Sequence, residues 1–213
     1  AGIKEFYIIV SQNSQEFQGY LKSLENRLEI SINFAIQNFY GNSKPLGTSD
    51  AIFQTMNQYE ELIKTRFLVC NCDNLYSVKA IKTLLGESNY NSMIAYDFEY
   101  LEFSNDRLSS FSLLNIENNF LSKIIEKPDL ELIINHSRKK YVSMNIFSFN
   151  GSEIYKHLRD CPINVKRGEK EIATALQNMI LENKKSVIAF PLCEHVPDLT
   201  YKDDLEKINK FLN

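Results

Sequence analysis

Arg66-Phe67-Leu68-Val69-Cys70-Asn71-Cys72-Asp73-Asn74-Leu75-Tyr76 is the stretch on which the fold turns. Its first half is an apolar run of strand length, and its second half breaks into turn-forming residues with Asp73 among them. A carboxylate just past the carboxyl end of a buried strand sits where open α/β sheets bind ligands and metals. Asp and Asn also end strands for ordinary turn-forming reasons, so Asp73 takes its weight from company. That company is Leu46-Gly47-Thr48-Ser49-Asp50-Ala51 before it, Ile125-Glu126-Lys127-Pro128 after it, and Val196-Pro197-Asp198 near the end.

Working outward, the chain has 213 residues, which suits one large domain with a substantial core. With 44% hydrophobic and 24% charged residues, disordered and fibrous classes are set aside. A net charge of -3 argues against nucleic acid as a partner. The basic run His136-Ser137-Arg138-Lys139-Lys140 is too short for a binding groove and reads as a solvated loop. No apolar run is long enough to span a bilayer, and the N-terminus lacks a basic-then-apolar secretory pattern, so no membrane partner is expected. Cys70, Cys72, Cys161 and Cys193 have neither a disulfide-framework spacing nor a second pair at zinc-like spacing. They read as reduced thiols of a cytoplasmic protein.

Periodicity predicts strands over 5–10 and 30–36 with a helix over 15–27 between them, its Phe17, Tyr20, Leu21, Leu24 and Leu28 at helical spacing. A helix from Thr48 or Ser49 to about Lys64 leads into the strand 67–70, and a short helix over 77–85 follows. This alternation is that of a mostly parallel sheet covered by helices. Strands over 92–96, 110–116 and 120–126 come without intervening helices and imply an antiparallel section. Beyond them come a strand over 141–149, helices over 152–159 and 169–182, a strand over 187–191 and a closing helix over 202–212. His136 and His157 read as exposed, and His195 as a packing or orienting residue near Asp198.

The four segments, in this order and at these intervals, resemble the sugar-phosphate nucleotidyltransferase family over essentially the whole chain. Leu46-Gly47-Thr48-Ser49-Asp50-Ala51 is similar to its L-G-T-A-x-A turn, where glycine lets the backbone approach the nucleotide at a helix start. Gly47 and Thr48 are thereby candidates for nucleotide binding. Val69-Cys70-Asn71-Cys72-Asp73-Asn74 is similar to the family's strand ending in G-D-N, with Cys72 in place of the glycine. The resemblance implies that Asp73 holds Mg²⁺ against the triphosphate. Glu126-Lys127-Pro128 matches E-K-P, in which the glutamate binds sugar hydroxyls and the lysine neutralises phosphate. Asn145, in Val142-Ser143-Met144-Asn145-Ile146-Phe147, stands in the strand that flanks the sugar. Arg167-Gly168-Glu169-Lys170-Glu171-Ile172 resembles R-G-E-x-E-I at a helix start. His195-Val196-Pro197-Asp198-Leu199-Thr200 stands for W-x-D-x-G-T without the tryptophan and glycine, and makes Asp198 the second metal carboxylate.

The fold expected is therefore α/β: a Rossmann-like mixed, mostly parallel sheet flanked by helices, antiparallel in its second half. The family's first strand, its G-x-G-T-R-x-x-P-x-T loop and a later lysine are not found. The resemblance implies roughly fifty residues before Ala1, a span that suits one βα unit with its loop. The missing strand is expected between strands 6–10 and 67–70, leaving a gap or an apolar edge there, with the fragment inactive by itself. The activity implied is the joining of a nucleoside triphosphate to a sugar 1-phosphate with Mg²⁺, in a protein free to form a homo-oligomer. A cytidylyltransferase for a non-sugar phosphate such as phosphocholine is an alternative, with Tyr96, Phe98 and Tyr100 as cage aromatics. A glycosyltransferase with a D-x-D metal site is disfavoured by Asn71, and a nucleotide-binding pseudoenzyme or regulatory subunit is kept alive by Cys72 and the altered final motif.

Overall fold

The computed structural model describes residues 1–129, 131, 139–200, 202 and 204–212. Its contacts divide the chain into two compact units, Ala1–Thr65 with Gly151–Ala175, and Arg66–Asn150 with Leu176–Asn213.

In the first unit β1 (Glu5–Val10) and β2 (Ser31–Ile36) form a parallel pair, Glu5 opposite Ser31 and Val10 opposite Ile36, with α1 (Gln15–Leu28) as the crossover. The α1 stripe read from helical spacing is not buried: Phe17, Tyr20 and Leu28 are exposed. The helix expected over 48–64 is two, α2 (Thr48–Gln58) and α3 (Glu61–Lys64). Tyr59 leaves the helical region at φ -132° and ψ 80°, and its hydroxyl donates to the Phe34 carbonyl at 2.9 Å. The Gln58 amide brackets Ile36, accepting from its N–H and donating to its carbonyl. Side-chain bonds to β2 thus replace helical bonds at the break.

Gly151 opens α6 (Gly151–Arg159), its N–H donating to the Thr65 carbonyl at 2.9 Å. Ile154, His157 and Leu158 lie on the buried face of this helix. The expected exposure of His157 is therefore wrong: the helical period carries it inward with its apolar neighbours.

The second unit holds β3 (Arg66–Cys70), α4 (Val78–Gly86), β4 (Asn91–Asp97), α5 (Asn105–Leu108), β5 (Ser112–Glu117), β6 (Phe120–Ile125), β7 (Tyr141–Ser143), β8 (Ile146–Asn150), β9 (Val187–Leu192) and α8 (Asp204–Leu212). The boundary between units falls within α7 (Ile172–Glu182). The sheet order is β3-β8-β4-β7-β5-β6-β9, and β4 also pairs with β9.

The expectation of a mostly parallel sheet is corrected here. Within this sheet the β4–β9 ladder is parallel, whereas β3–β8, β8–β4, β4–β7, β7–β5, β5–β6 and β6–β9 are antiparallel. The reason lies at residues 144–145. The strand expected over 141–149 breaks there, with Asn145 at φ +54°. That kink sends β7 to β5 and lets β8 insert between β3 and β4. Since β3 and β4 both run against β8, they share one direction, and β9 shares it with β4. The parallel pairing read for strands 5–10 and 30–36 is present as β1–β2, while β3 and β4 share a direction with the opposed β8 between them. Among the described residues β1 has β2 as partner and β3 has β8.

Every residue of β4 is buried. Ile94 and Tyr96 pack with Leu84, Leu113, Val142, Met144 and Ile146 in the core of this unit. Each such aliphatic side chain contributes about 1.5–3 kcal/mol by leaving water. A buried sheet centre of this kind fixes the strand ends on which the candidate site residues stand.

Candidate active site

Because β3, β4 and β9 point the same way, their carboxyl ends gather at one edge of the second unit. Asp73 follows β3, Asp97 ends β4, and Asp198 lies six residues beyond β9. The loop after β3 is fastened to the segment before α8. Asn74 and Asp198 form an antiparallel bridge, the Leu75 N–H donates to the Pro197 carbonyl at 2.9 Å, and the Leu199 N–H donates to the Asp73 carbonyl at 2.8 Å. Main-chain bonds thus join the segments of two acids 125 positions apart in sequence, and the charge of Asp198 is felt at Asp73. Tyr76 braces the same loop, its hydroxyl donating to the Met144 carbonyl at 2.6 Å.

The two carboxylates differ in setting. Asp73 faces solvent, yet the surrounding protein, and then the charge of Asp198, pushes its carboxyl above the usual range against a backbone hydrogen bond that pulls it down. Asp198 is buried, and accepts from Arg107 Nη2 at 3.1 Å and from Thr200 Oγ1 at 2.9 and 3.1 Å. No group of three His, Cys, Asp or Glu side chains is poised to hold a metal among the described residues. The pair Asp73 and Asp198 suits an ion that takes its remaining oxygens from phosphate and water, which is the habit of Mg²⁺.

The E-K-P segment follows β6. Leu113 lies opposite Ile125 and Ser112 opposite Ser143, so Glu126, Ser112 and Ser143 stand in one row across β6, β5 and β7. Ser112 Oγ donates to Glu126 Oε2, and Ser143 Oγ accepts from the Asn145 N–H at 3.1 Å. Lys127 is exposed with φ +43°, and Asn145 has φ +54°. Left-handed non-glycine residues are uncommon and collect at functional sites, where the surrounding structure holds the strain. Asn145 also lies beside the Asp73 loop, since Ile146 pairs with Cys70.

A match to the family model described as nucleotidyl transferase covers residues 1–211. The chain belongs to the nucleotidyl transferase family. A crystal structure assigned as a glucose-1-phosphate thymidylyltransferase from Bacillus anthracis, in complex with a sucrose, shares its fold. That structure has a TM-score of 0.70 and 15% sequence identity, over 96% of this chain and 74% of the other. No curated protein sequence matches the chain significantly.

Two further motifs meet in the first unit of this nucleotidyl transferase. The Lys170 N–H donates to the Leu46 carbonyl at 2.5 Å, and the Ser49 N–H donates to the Lys170 carbonyl at 3.0 Å. Gly47 has φ +94°, and a Cβ there would lie 2.8 Å from the Lys170 carbonyl oxygen. The close approach this glycine permits is therefore to the chain's own Glu169-Lys170 segment, while Thr48 remains exposed at the start of α2. The helix expected to begin at 169 begins at Ile172, because 164–169 form a turn with Gly168 at φ +68°.

Sequence reading missed Arg107, Asp204 and Asp97, none of which stands in a motif. It also read Lys139 as part of a solvated loop, whereas Lys139 Nζ lies 2.8 Å from the buried Asp97 carboxylate; residues 136–138 of that loop lie outside the described residues. Asp97 further accepts from the Glu99 N–H at 3.1 Å and from the Cys193 thiol at 3.6 Å. Burial pushes the Asp97 carboxyl up, but these partners outweigh it and hold it below the usual carboxylate range. A lowered folded-state pKa gives stability above the unfolded value of about 3.9 that fades as pH falls through the folded one. Asp97→Asn is therefore expected to lower the urea midpoint at about pH 7, with the gap to wild type closing as pH falls through the lowered folded-state pKa. A gap that persisted in acid would show that its cause is not the charge.

Proposed function

We propose that this nucleotidyl transferase joins a nucleoside triphosphate to a sugar 1-phosphate and releases pyrophosphate, with Mg²⁺ held by Asp73 and Asp198. The observation that supports the reading is the main-chain bridge joining the Asp73 and Asp198 segments near the carboxyl ends of co-directional strands, with the Asp198 charge acting on Asp73. Charge supports it: Asp73, Asp198 and Asp204 against Arg107 leave two negative charges for a divalent cation to balance. When bound, magnesium neutralises phosphate charge and polarises the α-phosphate.

In this reading an oxygen of the sugar 1-phosphate forms a bond to the α-phosphorus. The bond from that phosphorus to the α–β bridging oxygen breaks, and pyrophosphate departs with the electron pair. Little covalent chemistry falls to side chains, so their work is positioning and charge neutralisation. Lys127 balances the attacking phosphate, Glu126, oriented by Ser112, accepts from sugar hydroxyls, and the Asn145 amide bonds the sugar. The family resemblance gives Gly47 and Thr48 a role at the nucleotide.

The second substrate class is a phosphate ester with a cationic head, and a cavity of about 280 Å³ beside Asp198, lined by Glu102, Phe103, His195 and Asp204, is the place for it. Arg107 already covers the Phe103 ring and pairs with Asp204, so the support there is Glu102 and the rim of the cavity rather than an open aromatic cage. The aromatic trio read from the sequence does not supply that cage, because Tyr96 is fully buried and Lys140 Nζ lies 5.5 Å from the Phe98 ring centroid. The test is pyrophosphate release by the full-length protein with each common triphosphate, paired with hexose 1-phosphates and with phosphocholine. Turnover with hexose 1-phosphates alone supports the first reading. Turnover with phosphocholine alone moves the substrate to the second, and none with any pair contradicts both.

A further inference from the structure

Arg107 stands on the short helix α5 and belongs to no motif, yet its guanidinium joins two of the acids around the site. Nη1 and Nη2 donate to Asp204 Oδ1 and Oδ2 at 3.0 and 2.9 Å, and Nη2 also donates to Asp198 Oδ2 at 3.1 Å and to the Asp198 carbonyl at 3.0 Å. The two carboxylate side chains are each 6% exposed and the Arg107 side chain is 14% exposed, so the charges meet largely out of water. The Phe103 ring covers the guanidinium, 4.7 Å from its central carbon to the ring centroid. Thr200 Oγ1 reaches both oxygens of Asp198. An ionised carboxylate has about four acceptor directions, two on each oxygen. Arg107 engages Oδ2 and the Asp198 carbonyl, and the single Thr200 hydroxyl hydrogen is shared between the two carboxylate oxygens, so Oδ1 is the oxygen that the guanidinium does not engage.

We propose that Arg107 is a positioning residue that stands in for a second cation, holding Asp198 and Asp204 together so that Asp198 offers a divalent ion Oδ1, the oxygen turned away from the guanidinium. The inference rests on the assignment of Asp73 and Asp198 as the metal-binding pair. It explains how a site with three neighbouring aspartates is set for one ion. The fixed guanidinium satisfies the inner carboxylates and repels a second dication, and the planar fork that spans both acids is a geometry lysine cannot copy in full.

The prediction is a pattern of opposite signs. Free Mn²⁺ is titrated by electron paramagnetic resonance against the full-length wild-type protein and against Arg107→Met, Arg107→Lys, Asp204→Asn and Asp73→Asn. Arg107→Met, which exposes both inner carboxylates to the ion, is expected to bind Mn²⁺ about tenfold more tightly. Asp204→Asn, which turns the whole guanidinium charge onto Asp198, is expected to bind about fivefold more weakly. Arg107→Lys keeps the charge and should stay within about threefold of wild type. A purely structural Arg107 would instead weaken binding in both Arg107→Met and Asp204→Asn, and that result, or no change in either, overturns the proposal. If Arg107→Met does not fold, weaker binding by Asp204→Asn beside near-normal binding by Arg107→Lys supports the proposal, and equal binding by the two overturns it. Asp73→Asn separates the two layers of inference. If it weakens Mn²⁺ binding while the opposed signs are missing, the Arg107 role alone fails; if it binds as wild type does, the metal pair itself fails.

Discussion

Asp73→Asn in the full-length protein is expected to lower pyrophosphate release by about two to three orders of magnitude, the scale seen when a preorganised charge partner of a transition state is removed. The substitution keeps the volume of the side chain and removes the negative charge that an ion at the site requires. The main-chain bridge does not depend on it, since the bonds run through the Asp73 and Pro197 carbonyls. Stability should move the other way. The folded protein raises the Asp73 pKa, so ionised Asp73 is less at ease folded than unfolded at about pH 7, and the neutral amide removes that cost. A variant at least as stable as wild type to urea, yet nearly inactive, is the expected result. Turnover near the wild-type rate would take Asp73 out of the metal role.

The largest effect on stability is expected at Gly151. A Cβ at this position would overlap the Leu62 carbonyl oxygen and lie 2.9 Å from both the carbonyl carbon and oxygen of Ile63. These are backbone atoms of α3, which cannot turn aside as a side chain would. Gly151→Ala must therefore push α6 away from α3 and strain the bond from the Gly151 N–H to the Thr65 carbonyl. Overpacking of this kind costs on the order of 3 kcal/mol, a large part of what holds a domain folded. Gly86→Ala is the control, since a Cβ there meets nothing within 4 Å. Equal urea midpoints for the two variants would contradict the packing argument.

The difference between those two glycines marks what a sequence carries. Apolar runs and turn residues gave every strand of the second unit to within about two residues, apart from the break at Asn145, because the period of a strand is local information. The break was hidden, since Val142-Ser143-Met144-Asn145-Ile146-Phe147 alternates as a strand does and only the partners on either side select the left-handed turn. Strand order was hidden for a related reason: β8 lies between β3 and β4 through pairings 80 residues apart, for example Leu68 with Ser148. In the candidate site, Asp73, Glu126, Lys127 and Asp198 could be read because each sits in a run of residues that resembles a family motif. Arg107, Asp204 and Asp97 left no such trace. Their partners lie far away in sequence, and a single Arg or Asp looks the same whether it is solvated or buried in an ion pair.

In the proposed reaction Asp73 and Asp198 share one divalent ion. The most direct test of that sharing is an anomalous-difference map from crystals of the full-length protein grown with Mn²⁺ and a nucleoside triphosphate. One peak with a carboxylate oxygen of each residue at about 2.1 Å is the expected result, the Asp198 oxygen being the one that Arg107 leaves open. A manganese peak bound elsewhere, with the triphosphate in place and neither aspartate touching the metal, would contradict it.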